Sequence, residues 1–519
     1  MKKILMMLFF VCLLFAKNED LIKILEYGNI DKAKQIIDNV KDEDLKNLYT
    51  GIYYMYIGDY VTAEEYMLKV SSDVNKISPS ELFFREYILF LSKTISEYKK
   101  YESEHFEVYL KDRDIILAES ILEILEQIHK YYAEKFSFYP EKVRVEVYNT
   151  KKEFAIASTL GEEIVEKTGV VGICKFNRIM IISPECLPLG YRWCDTLAHE
   201  YIHFLLNRIT EFKYPLYLHE GTARYFDTLY RSSIPLCFTV GNLNLLLEAR
   251  KKDELIPFEE MKGSLVYLQS QQQVELAFAE LSTFVEYLIN TFGEEKFIEF
   301  VKNYKSYDKE EVLYKKIFGV EYKKIISDWY KSLEEKEEVV KKYPGAVSDY
   351  KITFFNDEKN LVGLDLWQYV ELGDKFFLNK NYNVAIYQYK KAQKQQPYNP
   401  VIMTRIAKCY ILQNKFEVAE QILKECILVN PNYVVAYELL VKLFYEKGEY
   451  DKAMDYYKDV LQINPFNWEI HKIVAQMLAD LGKVKDATKK YETVLMLNPT
   501  DFDTRIKYEN LKRYLEYKK

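Results

Sequence analysis

The stretch LFYEKGEYDKAMDYYKDVLQINP (443–465) determines how the C-terminal third of this chain folds. In it, Tyr450 precedes the small Ala453, and Pro465 closes the stretch. The same arrangement returns along the chain with a constant period of 34 residues. The equivalent positions are Ala385, Ala419, Ala453 and Ala487, and Pro397, Pro431, Pro465 and Pro499. Two independent positions that repeat with one period indicate a repeated structural unit.

Each unit is predicted to be a hairpin of two helices. A small alanine suits the point where two helices pack closely, the preceding aromatic residue fills the elbow, and proline ends the second helix. These residues resemble the tetratricopeptide repeat, and the resemblance implies four repeats over 366–501 and a capping helix over 502–519. Such repeats generally present a concave surface to a protein partner. The alternative, an array that serves only as a scaffold or dimer surface, stays open.

A related pattern occurs once near the N-terminus. GIYYMYIGDYVTAEEYMLKV (51–70) has the same spacing of glycine, aromatic residues and alanine, and GNIDKAKQII (28–37) looks like half of another unit. We therefore expect a helical, tetratricopeptide-like segment over 18–100. A linker over 341–365 is expected before the C-terminal repeats.

The first residues have the layout of a secretory signal. Lys2 and Lys3 precede an uninterrupted apolar run of 13 residues (4–16), which a polar segment follows. A helix needs about 20 residues to span a bilayer comfortably, and this run is shorter. We predict a signal peptide over 1–17 and export to the periplasm, the cell envelope or the medium. An uncleaved signal that anchors the chain to the membrane is the alternative.

Composition limits the possible partners. The chain has 519 residues, enough for more than one core, and its 79 acidic and 72 basic residues give a net charge of −7. The charges are interspersed, so we expect no nucleic-acid partner. Six cysteines follow the leader without a CxxC pair. They are too sparse for a disulfide framework and indicate buried thiols.

The middle of the chain, residues 103–340, is not periodic. Alternating apolar residues predict strands over 105–110 and 143–148, with a helix between them, and 178–183 is a third predicted strand. This order indicates an α+β domain. It permits the third strand to be the sheet edge along which an extended peptide lies, which the sequence leaves open.

The stretch DTLAHEYIHFLLNR (195–208) follows the third strand and carries a candidate metal site. His199 and His203 are four residues apart, so on a helix they project from one face and can share an ion. Glu200 lies beside that ion, where a carboxylate can take a proton from water. This is the HExxH pattern. The alternative is two ordinary, partly buried histidines on an amphipathic helix.

A catalytic metal site needs a third protein ligand. Leu206 and Ile209 stand three and six residues after His203, which excludes a histidine at the extended spacing. YPLYLHEGTARYFDTLY (214–230) offers Glu220, far enough along the chain for a second helix to return. Two imidazole nitrogens and one carboxylate form a ligand set suited to zinc.

The two segments HEYIH (199–203) and HEGTARYF (219–226) resemble the motif pair of the peptidase MA-like, or gluzincin, zinc metallopeptidases. The resemblance implies a zincin-like α+β domain over 103–340, flanked by the all-α hairpin segments, in a chain that is α-rich overall. It implies one catalytic Zn²⁺ held by His199, His203 and Glu220. It further implies Glu200 as general base and a protein or peptide as substrate.

Several neighbouring residues are secondary candidates. Gly221 and Ala223 are small enough to let the second helix approach the first. Asp227 is predicted to orient a ligand, and Asp195 either does the same or caps the helix. Candidates for stabilising the oxyanion are Tyr201, Tyr225 and His219.

Two functions of different classes follow. The first is an exported zinc metallopeptidase whose repeats bind a protein. The second is a non-catalytic tetratricopeptide adaptor of the cell envelope with an inactive peptidase-like domain.

Overall fold

The computed structural model describes residues 21–73, 78–232, 235–236, 238–262, 265, 268, 270–346, 354 and 358–518. The predicted signal peptide, residues 1–17, lies outside these residues, as do Cys12 and Cys237. Among the residues that are described, no helix combines the length and apolar character needed to cross a bilayer. The remaining five cysteines carry free thiols.

The N-terminal segment consists of packed helices. They are α1 (Ile30–Asp38), α2 (Glu43–Ile57), α3 (Tyr60–Met67) and α4 (Pro79–Ile95). Asp42 and Asp59 accept hydrogen bonds from backbone N–H groups at the starts of α2 and α3, and Ser78 forms a capping box with Glu81 at α4. A Cβ on Gly51 would overlap the Met67 side chain, so this glycine allows α2 and α3 to pack closely.

A five-stranded sheet follows. Its strands are β1 (Lys99–Glu102), β2 (Phe106–Leu110), β3 (Val143–Tyr148), β4 (Gly172–Lys175) and β5 (Arg178–Ile182), in the spatial order β1-β2-β3-β5-β4. The three central strands are parallel, and the two outer strands are antiparallel to their neighbours. All three predicted strands are present, in β2, β3 and β5. The sequence did not predict β1 and β4, which have four residues each and no alternation of buried and exposed side chains.

The third predicted strand is not the edge of the sheet. It is β5, and it pairs with β3 on one side and with β4 on the other. Phe176 and Asn177 connect β4 to β5 with positive φ angles of 54° and 59°, as in a two-residue hairpin turn. Because this hairpin places β4 outside β5, β4 is the edge strand on this side of the sheet.

Helices cover the sheet and complete this domain. They are α5 (Ala118–Phe136), α6 (Lys151–Ala157), α7 (Glu162–Thr168), α8 (Trp193–Thr210), α9 (Leu216–Phe226), α10 (Val240–Lys252), α11 (Gln271–Phe292), α12 (Glu294–Asn303), α13 (Glu310–Phe318), α14 (Tyr322–Ser332) and α15 (Glu337–Lys341). Helix α8 packs on β4, β5 and α5, and α9 packs on α11. Gly293, with φ of 93°, separates α11 from α12.

The C-terminal part is an array of four helical hairpins and a final helix. The hairpins are α17 (Leu364–Leu378) with α18 (Tyr382–Gln393), α19 (Pro400–Leu412) with α20 (Phe416–Val429), α21 (Val434–Glu446) with α22 (Tyr450–Ile463), and α23 (Trp468–Asp480) with α24 (Val484–Leu497). Helix α25 (Phe502–Tyr517) follows. The four periodic alanines are fully buried, as expected at points of close helix packing.

The predicted linker, 341–365, contains an additional short helix before α17. This helix, α16 (Glu358–Val362), is part of the array, because the side-chain amide of Asn399 donates a hydrogen bond of 2.8 Å to the carbonyl of Leu361. The sequence showed no period there, so this helix was not predicted.

The array is docked against the sheet domain. Phe466 and Leu497 belong to the same apolar core as the sheet. Arg192 donates hydrogen bonds of 2.9 Å to the Pro431 carbonyl and the Tyr437 hydroxyl. The indole N–H of the next residue, Trp193, donates to the carbonyl of Leu461 at 2.8 Å. The start of α8 is therefore held by the third hairpin and by the turn that precedes it.

Candidate metal centre

The candidate ligands lie on two consecutive helices. His199 and His203 are one turn apart on α8, and their side chains are 14% and 12% exposed. Helix α8 ends at Thr210, where Glu211 adopts a left-handed conformation, and the chain returns as α9 after Pro215. This return brings Glu220 to the two histidines, as the sequence predicted.

Three atoms form a nearly equilateral triangle. Oε2 of Glu220 is 3.4 Å from Nε2 of His199 and 3.4 Å from Nε2 of His203, and the two nitrogens are 3.1 Å apart. Ligand atoms bound tetrahedrally to one zinc ion, each at about 2.0–2.2 Å, are about 3.3–3.6 Å apart. The three side chains therefore have the chemistry and the spacing to hold one zinc ion.

Nearby charges change the pKa values of His199 and Glu220. Burial alone would lower the pKa of His199, but hydrogen bonds to the Asp227 and Glu220 carboxylates raise it to about 10. Burial would raise the pKa of Glu220, but His203 and His199 hold it well below its ordinary value. The carboxylates of Asp227 and Glu220 thus favour positive charge at His199, which either a proton on its ring or a bound cation supplies.

Asp227 lies behind His199, where the sequence predicted a residue that orients a ligand. Its Oδ2 is 3.5 Å from Nδ1 of His199 and accepts a hydrogen bond of 3.0 Å from Arg224. The Asp227 side chain is only 1% exposed. A carboxylate on the second nitrogen of a histidine fixes the ring and its tautomer.

Glu200 lies between the candidate ligands and the edge strand. It is 6% exposed, and burial raises the pKa of its carboxyl group. A Cβ on Gly172 of β4 would lie 2.9 Å from Oε1 of Glu200, so the absence of a side chain there leaves room for the carboxylate. A raised pKa brings a carboxylate closer to the range in which it can act as a general base at neutral pH.

His219 contacts the second histidine and does not face the three ligand atoms. Its Nδ1 is 3.0 Å from Nδ1 of His203, and its ring is buried. Burial and the neighbouring His203 lower the pKa of His219 to about 3. The prediction that His219 stabilises an oxyanion is therefore wrong, because its ring lies on the far side of His203.

Two further predictions do not match the structure. Asp195 does not cap α8, which begins two residues earlier at Trp193; it accepts hydrogen bonds of 2.7 Å and 2.6 Å from Arg231. Tyr201 is fully buried, and its hydroxyl is 2.8 Å from Nδ1 of His129. Residues two apart on a helix point about 200° from each other, which directs Tyr201 away from His199.

Gly221 has other surroundings than predicted, whereas the role of Tyr225 in stabilising an oxyanion stays a prediction. A Cβ on Gly221 would lie 2.6 Å from the carbonyl oxygen of Leu281, so this glycine permits the close contact between α9 and α11. The sequence had predicted that it permits the contact between α9 and α8. Tyr225 is buried with its ring edge on Phe226. Phe278 of α11 was not predicted, yet its ring centroid lies 6.2 Å from that of His199. Its distance along the chain leaves no sequence signal for that contact.

The comparisons with known proteins concern the repeats. Family models described as tetratricopeptide repeat match residues 376–443 and 434–467. Human RNA polymerase II-associated protein 3 is 39% identical over 67 residues, which are 13% of this chain and 10% of that protein. The chain therefore carries tetratricopeptide repeats, a module for protein–protein interaction.

Similar solved structures each cover about a third of the chain. A MamA structure (MamA MSR-1 C2) is 15% identical, covers 30% of this chain and 88% of its own, and gives a TM-score of 0.26. YrrB, described as a TPR protein with an unusual peptide-binding site, is 14% identical, covers 31% and 81%, and gives a TM-score of 0.25. The first repeat domain of Spaghetti, solved with an HSP90 peptide, is 25% identical, covers 29% and 93%, and gives a TM-score of 0.15.

Proposed function

We propose that the sheet domain is an exported zinc-dependent peptidase and that the repeats attached to it bind a protein. The observation that carries the proposal is the triangle formed by Nε2 of His199, Nε2 of His203 and Oε2 of Glu220, with sides of 3.1, 3.4 and 3.4 Å. Three such atoms leave one position of a tetrahedral site for water or substrate, which is the arrangement of catalytic zinc sites.

Each side chain has a defined task in this proposal. Zinc, when bound, supplies Lewis-acid polarisation of a carbonyl and a lowered pKa of water. Glu200 accepts a proton from the attacking water and passes it to the nitrogen of the leaving amine. Asp227 keeps the ring of His199 in place. No covalent intermediate with the protein is required.

The edge strand supports a peptide as substrate. In the part of the chain that the structure describes, β4 pairs only with β5, so no other strand lies on the outer edge where an extended peptide would add itself by main-chain hydrogen bonds. Glu200 lies directly beside this strand at Gly172. A peptide laid along β4 would thus pass the general base.

The experiment is a comparison of Glu200→Gln with wild type. The full chain is purified, its zinc content is measured, and cleavage of a random peptide library is followed by mass spectrometry. We expect Glu200→Gln to keep about one zinc and to lose cleavage, because the amide cannot accept the proton. Glu163→Gln, an exposed position on α7, is the matched control and should cleave like wild type. Equal cleavage by Glu200→Gln and wild type would contradict the mechanism.

A second candidate function is a non-catalytic adaptor. The matching family models cover residues 376–467, so the comparisons support protein binding by the repeats and fit an adaptor at least as well as an enzyme. An adaptor would bind its partner through the repeats, and neither wild type nor Glu200→Gln would cleave any peptide. The library experiment therefore separates the two candidates.

Export is the remaining part of the proposal, and it is supported by the charged and apolar leader over 1–17. Mass spectrometry of the N-terminus of the exported protein tests it. We expect a chain that begins close to residue 18, whereas a retained leader would support a membrane anchor.

A further inference from the structure

His219 and Glu220 are adjacent in sequence but meet His203 from opposite sides. Oε2 of Glu220 is 3.4 Å from Nε2 of His203, and Nδ1 of His219 is 3.0 Å from Nδ1 of the same ring. Successive side chains on a helix point about 100° apart, so two neighbouring residues of α9 can contact the two nitrogens of one imidazole. The single ring of His203 is thus held between two consecutive residues.

The environment of His219 leaves its ring little freedom. The side chain is buried, and its ring lies edge to edge with that of His203, with centroids 5.2 Å apart and planes 28° apart. The ring of Tyr214 also contacts it, with centroids 5.4 Å apart and planes at 62°. Its hydroxyl in turn lies 3.2 Å from the hydroxyl of Thr222 on α9. A ring fixed in this way presents its Nδ1 in a constant position.

A contact between two imidazole nitrogens needs one proton, so one ring donates and the other accepts. If Nε2 of His203 is to offer its lone pair to a metal ion, the hydrogen of this neutral ring must be on Nδ1. His219 must then accept through Nδ1 and carry its own hydrogen on Nε2. The opposite assignment places a hydrogen on Nε2 of His203, where it would point at the ion.

We propose that His219 is a positioning residue that holds His203 in the tautomer and orientation needed to bind zinc. The proposal rests on the metal centre of the proposed function. It differs from the support of His199, whose second nitrogen faces the Asp227 carboxylate at 3.5 Å. The two histidine ligands thus have partners of different chemistry, a carboxylate for one and an imidazole for the other.

Substitutions of His219 separate the position of the acceptor atom from the size of the side chain. His219→Asn places an oxygen one bond beyond Cγ, where Nδ1 is now. His219→Gln moves that oxygen one carbon further, away from His203. His219→Phe keeps an aromatic ring at this position and removes both nitrogens. Asn and Gln form a matched polar pair that differs in reach.

The measurement is zinc affinity of the full chain by competition with a chelator, together with the visible absorption spectrum of the Co²⁺-substituted protein. We expect His219→Phe and His219→Gln to weaken zinc binding by about 10- to 100-fold and to change the Co²⁺ bands. His219→Asn should stay within about threefold of wild type, because it keeps the acceptor next to Nδ1 of His203.

The outcomes distinguish this inference from the proposed function. Wild type that binds no zinc would overturn the metal centre and this inference together. Wild type that binds zinc, with Asn and Gln variants of equal affinity, would overturn the role of His219 and leave the metal centre intact. If the Phe variant does not fold, the Asn and Gln pair decides the question.

Discussion

The repeat array and the sheet domain differ in how far apart in the sequence their contacting residues lie. In the array, the two helices of each hairpin pack on each other, each hairpin contains a buried alanine such as Ala453, and the pattern returns with a period of 34 residues. In the sheet domain, the candidate metal centre combines α8 and α9 with an edge strand, β4, and with α11. Local contacts are repeated in the sequence and can be predicted, whereas contacts between distant segments leave no periodic signal.

The largest expected effect is the loss of zinc affinity when a metal ligand is removed. Glu220→Ala removes the only carboxylate of the triangle. Loss of a residue that merely supports a ligand lowers metal affinity by up to about 100-fold, so we expect loss of the ligand itself to lower zinc affinity further. The chelator-competition assay measures it, with Glu163→Ala as an exposed control. If Glu220→Ala binds zinc as tightly as wild type does, α9 contributes no ligand to the site.

The next largest effect concerns the boundary between the two regions. Gly190 has φ of 66°, and a Cβ there would overlap the carbonyl oxygen of Ile463 in the array. We expect Gly190→Ala to destabilise the chain by about 1–3 kcal/mol from overpacking, in addition to the cost of a left-handed alanine.

A matched control for the boundary is Gly482→Ala. Gly482 has φ of 70° but no atom within 4 Å of a Cβ, so only the backbone cost of about 1 kcal/mol applies. Chemical denaturation of both variants gives the difference. Equal stability of the two variants would show that the array is not docked where Gly190 meets it.

A smaller effect is expected from the carboxylate behind His199. Asp227→Asn keeps the shape and removes the charge, and we expect zinc affinity to fall by about tenfold. The ring of His199 stays in place but its Nδ1–H loses a charged acceptor. Unchanged affinity would indicate that the contact of 3.5 Å contributes nothing to the site.

The smallest effect is expected at the surface of the boundary. Lys489 of the array and Glu119 of the sheet domain form an ion pair in which both side chains are about two-thirds exposed, at 68% and 66%. Exposed pairs of this kind contribute little, so Lys489→Ala should change stability by no more than about 0.5 kcal/mol. A larger loss would show that charge, and not burial at Gly190, holds the array in place.

The candidate site was predictable where spacing alone determines geometry. His199 and His203 share a face of α8 because they are four residues apart, and Glu220 followed from the need for a third ligand. Asp227 was predicted to orient a ligand because it stands two helical turns after Glu220. These predictions depend on helix periodicity and on ligand number, both of which are visible in the sequence.

The rest depended on tertiary packing. Strand β4 has no alternation of buried and exposed side chains, so its place at the edge follows only from pairing with β5. Aspartate is a residue type that often caps helices, but the carboxylate of Asp195 accepts a hydrogen bond from Arg231 instead. His219 was misassigned because sequence gives its position on α9 and not the side of His203 that it meets.

The central claim is that His199, His203 and Glu220 hold one zinc ion. Anomalous diffraction at the zinc absorption edge, from crystals of the wild-type chain grown with zinc, tests it most directly. A single peak at about 2.0–2.2 Å from Nε2 of both histidines and from the carboxylate of Glu220 is the predicted result. Diffraction data of good quality with no anomalous peak between these three atoms would contradict it.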